Sequence, residues 1–174
     1  MLEAISILLL ANAGACFSSP DERAAILQLD ENHFDLYDDQ GWRLVASRGE
    51  HCNIPAAELI LDYLEQHGEE SFSRSYLLHW HAGQQFAFAG ETRRAARQFR
   101  LSYVWRVEDT ELTAAWNEYV AGSIAFLEGD LAGLVRAQAA TPHGPMTNRD
   151  VLDGLLNCFD RPYRVAYGRA CREP

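Results

Sequence analysis

His79-Trp80-His81 is the grouping that most invites a metal reading, because two imidazoles stand close in the chain. On a helix, residues two apart point about 200° away from each other, so this pair cannot hold one ion from a single helix. His81 and Gln84 do share a side, but no carboxylate joins them at a one-turn interval on that side. His33 and His51 fall near expected helix ends, where a partly exposed imidazole is common. Asp35, Asp38 and Asp39, with Asp30 and Glu31 nearby, form an acidic cluster. Carboxylates act as acid and base only where a pocket drives their proton affinities apart. Here they read as a solvated helix face, without the loop glycine and ordered alternation of a calcium-binding loop. Ser71, Ser73 and Ser75 alternate without a glycine elbow, and no glycine-rich phosphate loop is present. These residues predict no catalytic group, no metal and no cofactor. The competing reading is an enzyme with a pocket between helical hairpins around His81, Gln84 and Glu118.

The four cysteines carry a different chemistry. None has the paired spacing of a zinc site or a redox CxxC. Cys158 and Cys171 flank Arg161-Pro162, where a helix should break, so two antiparallel segments can bring them together. In an exported protein that pair is the preferred disulfide; the alternative is that Cys52, Cys158 and Cys171 are three buried free thiols. Cys16 ends an apolar run, Ala4–Ala15, too short to span a bilayer but suited to an export signal. Ala11-Asn12-Ala13 and Ala13-Gly14-Ala15 both offer the small-x-small pattern of signal cleavage. Ala13-Gly14-Ala15-Cys16 also resembles a lipoprotein processing box, which makes Cys16 the lipidation candidate and the one route to a membrane. Against export, no Lys or Arg precedes the run and Glu3 has the wrong sign. The expected organisation is a leader over 1–15 and one domain over 16–174. The expected location is the periplasm or exterior, the alternative cytoplasmic with a buried first helix.

A chain of 174 residues, 48% hydrophobic and 23% charged, suits a globular domain able to bury its own core. Its net charge of −10 argues against nucleic acid and anionic lipid as partners. From Asp21 onward apolar residues recur at helical spacing, and no sustained two-residue alternation suggests a sheet. Ser19 or Asp21 can cap a helix beginning near Pro20. Pro55 suits the first turn of a helix that buries Ala56, Leu59, Ile60, Tyr63 and Leu64. Helices are then expected over 73–89, 92–104, 112–127 and 131–139. Thr141-Pro142-His143-Gly144-Pro145 breaks the chain, and Thr147 with Asp150 opens a further helix. A short stripe after Pro162 follows.

The turn glycines Gly49, Gly90 and Gly129 lie about forty residues apart, a period proper to stacked helical hairpins. In Leu77–Ser102, Gly83, Phe86, Gly90, Ala95, Phe99 and Ser102 alternate small and large where two helices pack. This order resembles the tetratricopeptide repeat. The copies on either side are degenerate, with Gly122 and Gly129 retained in the third and Gly49 in the first. The resemblance implies an all-α fold of stacked antiparallel helical hairpins, with extra C-terminal helices. It also implies peptide or protein binding along the first helix of each pair, at Trp80, Gln84, Trp116, Tyr119, Ser123 and Arg43. For Trp80 and Trp116, packing between hairpins is the competing reading. The expected function is thus a noncatalytic protein- or peptide-binding scaffold. A cytoplasmic, chaperone-like or immunity-type acidic partner protein is the other alternative.

Overall fold

The computed structural model describes residues 16–72, 74–105, 111–144 and 148–173. The leader reading on 1–15 and the Thr147 start lie outside the described residues. Among those residues the protein is helical throughout, with no strand. It divides into two compact units meeting in sequence between Ala89 and Gly90. That boundary falls in the turn of Leu77–Ser102, so each half of this stretch packs within its own unit.

In the first unit, α1 (Pro20–Ile26) starts on Ser19, whose hydroxyl accepts from the Glu22 N–H, with Pro20 where no donor is needed. The chain turns at Gln28–Asp30 and restarts as α2 (Glu31–Asp35), because the Asp30 carboxylate accepts from the Asn32 and His33 amides. Next come α3 (Gly41–Ala46), a 3-10 turn (Glu50–Cys52), the long α4 (Asn53–His67), a second 3-10 turn (Glu69–Ser71) and α5 (Ser75–Phe88). The helical stripe of α4 does what its spacing predicts: Ala56, Leu59, Ile60, Tyr63 and Leu64 are all core, with Phe34, Trp42, Val45, Leu78 and Ala82. Phe34 and Tyr63 stack with ring centroids 3.6 Å apart. The Tyr63 hydroxyl donates to the Leu29 carbonyl at 2.7 Å, and burial pushes its proton affinity up to about 12, so it remains a donor.

In the second unit, α6 (Thr92–Leu101) packs on α7 (Glu111–Glu128), and α7 turns at Gly129 into α8 (Leu131–Ala140). Then α9 (Arg149–Asn157), α10 (Tyr163–Ala166) and α11 (Arg169–Arg172) close the unit. Arg149 donates to the Gln138 and Thr141 carbonyls, satisfying the open end of α8. Gly122 sets the approach of three helices. A Cβ there would stand 2.5 Å from Leu152 Cδ2, 3.3 Å from Ala137 Cβ and 3.4 Å from Leu134 Cδ1. All three neighbours are buried, so the crowding cannot be relieved outward. Gly122→Val is therefore expected to destabilise the protein by about 2 kcal/mol despite its better helix propensity. A urea midpoint equal to the wild type would refute this packing.

Candidate functional site

The first unit holds a cleft of about 410 Å³ between its N-terminal segment and α4. One wall is Phe17, Ser18, Ser19, Pro20 and Arg23; the other is Pro55, Glu58, Leu59 and Asp62. The second set is spaced i, i+3, i+4, i+7 and is therefore one face of α4, adjacent to its core stripe. Arg23 and Asp62 form an ion pair across the cleft. An apolar floor with a few charged groups at the rim suits an apolar ligand part carrying a polar end.

The N-terminal wall is a short segment, and three links hold it. Cys16 and Cys52 form a disulfide with Cα atoms 5.5 Å apart. Arg48 donates to the Cys16 carbonyl at 2.8 Å and forks onto both Glu22 oxygens at 2.9 and 2.5 Å. Ser18 adds its amide and hydroxyl to the same carboxylate at 2.5 and 2.8 Å. The Arg48 hydrogen bonds and the Ser18 amide, with the Arg48 charge, bring the Glu22 carboxyl down from 4.5 to about 2. Because Cys16 sulfur is bonded to Cys52, it has no thiol for a lipid thioether. The lipidation reading of Cys16 is corrected on that ground.

The first unit also holds a buried polar centre at Asp35. Asp35 Oδ1 accepts from Trp42 Nε1 at 2.8 Å and pairs with His81 Nδ1 at 2.7 Å. Arg43 Nε donates to the Asp35 carbonyl at 2.7 Å, and its guanidinium lies 4.3 Å over the Trp42 ring. Burial alone pushes the Asp35 carboxyl up. Hydrogen bonding from His81, the His81 charge, Trp42 and Arg43 together outweigh that and hold it below its usual value. Gly41 makes the arrangement possible. It has φ +54°, and a Cβ there would stand 1.9 Å from the Phe34 carbonyl oxygen, forcing α3 away from α2. Asp35, read from sequence as part of a solvated acidic face, is thus a core residue that ties α2, α3 and α5 together.

No protein-family model, curated protein or solved structure matches this chain.

The groove residues expected from the repeat fare unevenly. Trp80 and Tyr119 are 3% and 2% exposed, and Ser123 is fully buried. None of the three can touch a partner without opening the core, so their docking role is corrected: these helical positions face inward. Gln84 is also buried, while Trp116 is half-buried and donates from Nε1 to the Ser102 carbonyl at 2.8 Å. Arg43 belongs to the Asp35 centre. His81 and Gln84 stand on α5 in the first unit and Glu118 on α7 in the second. Cys158 and Cys171 form a disulfide, with Asn157 Nδ2 donating to the Cys171 carbonyl at 2.9 Å. Sequence reasoning missed the cleft. The spacing of Pro55, Glu58, Leu59 and Asp62 is legible, but the opposing wall lies more than thirty residues upstream. Nothing in the sequence reading paired Cys16 with Cys52, the bond that makes the join.

Proposed function

We propose that this protein is an exported, noncatalytic binding module that takes an extended peptide or protein segment in the cleft between the N-terminal segment and α4. The cleft itself carries this reading: apolar Phe17 and Pro20 stand opposite the α4 wall, which buried Pro55 and Leu59 back, with Glu58 and the Arg23–Asp62 ion pair at the rim. With Asp62 already paired to Arg23, the exposed rim carboxylate Glu58, in a chain of net charge −10, favours a basic residue beside an apolar one in the partner. Two disulfides among the described cysteines support an oxidising compartment. Among the described residues no helix is long and apolar enough to cross a membrane. The hairpin of α7 and α8 keeps the Gly122–Gly129 spacing that resembles the tetratricopeptide repeat, and in this reading it is scaffold.

Selection of a displayed random-peptide library on the oxidised protein tests the proposal. The expected result is an enriched family with an apolar side chain next to Lys or Arg. Glu58→Trp, at an exposed position on the cleft rim, should plug the cleft. It should weaken the selected peptide by at least roughly tenfold, about 1.4 kcal/mol, with an unchanged melting curve. No enriched family, or an affinity indifferent to Glu58→Trp, would overturn the cleft as the binding site.

A further inference from the structure

We propose that reduction converts Cys16, His51 and Cys52 into a three-ligand site for Zn²⁺. The two sulfurs and an imidazole nitrogen of His51 all lie within 4.8 Å of one another. Four-coordinate zinc at about 2.3 Å from sulfur and 2.0–2.1 Å from nitrogen sets its donors roughly 3.5–3.8 Å apart. Once the bond between the sulfurs is broken, Cα atoms 5.5 Å apart let side-chain rotation open the two sulfurs to that spacing, with the His51 nitrogen within 4.8 Å of both. His51 and Cys52 are neighbours on one 3-10 turn, and Cys16 is brought to them from the N-terminal segment.

The surroundings suit the assignment. Both cysteines are fully buried, whereas His51 is exposed, which gives an ion one open approach and a fourth position for water. A Cβ at Gly49 would stand 3.0 Å from His51 Cε1 and Nδ1, so the ring lies against bare backbone. Arg48, donating to the Cys16 carbonyl, adds nearby positive charge that favours thiolates, while its salt bridge to Glu22 limits repulsion of the metal. Thiolate and imidazole donors are the set that borderline-soft Zn²⁺ prefers.

The chemistry balances with one co-reactant, a dithiol reductant. It gives two electrons and two protons to the Sγ–Sγ bond and leaves as its own cyclic disulfide. Cys16 and Cys52 become thiols. Zn²⁺ then binds both as thiolates, two protons pass to water, and neutral His51 supplies the third donor. Oxidised, the site is closed; reduced, it is a metal centre. No ordinary spacing motif announces it, because Cys16 lies far upstream of the His51-Cys52 pair.

Co²⁺ and Zn²⁺ titrations of the Cys158→Ser/Cys171→Ser variant test the proposal without interference from the second disulfide. After dithiol reduction, Co²⁺ should give a thiolate-to-metal charge-transfer band at one ion per chain, abolished by Zn²⁺; the oxidised variant should give none. His51→Ala should weaken binding by at least the roughly 10- to 100-fold that even outer-shell changes cost. If the reduced variant has lost helical circular dichroism, Zn²⁺ should restore it. A folded, reduced variant without the band overturns the site. So does binding indifferent to His51→Ala, or an unfolded reduced variant that Zn²⁺ does not restore. Peptide selection uses the oxidised chain, so either proposal can fail alone.

Discussion

Cys16→Ala/Cys52→Ala is expected to lower stability by about 4 kcal/mol. The disulfide joins residues 36 apart in sequence, and removing such a cross-link frees the unfolded chain by about that much in the chain-entropy account. The same account gives about 3 kcal/mol for Cys158→Ala/Cys171→Ala, whose separation is 13. The first loss should also be larger because Cys16 and Cys52 are both fully buried in the core of their unit. Thermal melts should show the first variant falling by roughly 10 °C, and the second by less. An equal or reversed order would mean that the N-terminal wall of the cleft is held mainly by Arg48 and Glu22. The loss should be accompanied by weaker peptide binding, since Phe17 to Arg23 form that wall.

Asp35→Ala is expected to cost about 3 kcal/mol, far more than an acidic residue on a solvated face. It leaves the Trp42 indole N–H, the His81 ring and the Arg43 guanidinium around a vacated acceptor. A buried donor without a partner loses its hydration and recovers nothing. Asp35→Asn keeps one carbonyl oxygen and should lose about half as much. A double-mutant cycle with His81→Gln should show a coupling of about 1–3 kcal/mol. The pH dependence has a definite sign. The Asp35 carboxyl titrates below its ordinary 3.8 in the folded protein. Its ion-pair stability is therefore present above that value and is lost as pH falls through the lower folded one. Wild type should lose stability more steeply than Asp35→Asn on acidification below 3.8, with urea unfolding at each pH as the measurement. Parallel acid limbs would place Asp35 outside the network.

Part of the first unit is legible in the sequence alone. Ser19, Pro20 and Pro55 mark helix starts through local rules that depend only on neighbouring backbone donors and on φ. The stripe on α4 is core because a helix with one apolar face has one way to bury it. The same rule misled at Trp80, Tyr119 and Ser123. Spacing says which residues share a helix face, but not whether that face meets a partner or the protein's own interior. Asp35 was misread for a related reason. A carboxylate among Asp38 and Asp39 looks solvated until Trp42, Arg43 and His81 are brought to it from other helices.

The sequence by itself determined the all-helical class, most of the longer helices, the Ser19 cap, the acidic charge and the candidate bond between Cys158 and Cys171. All of these follow from residues close in the chain. Tertiary structure decided the rest: Cys16 against Cys52, Asp35 against His81, and the N-terminal segment against α4. Each of these joins residues more than thirty apart, where helical periodicity carries no information. The cleft and the cysteine–histidine cluster are products of those long-range joins.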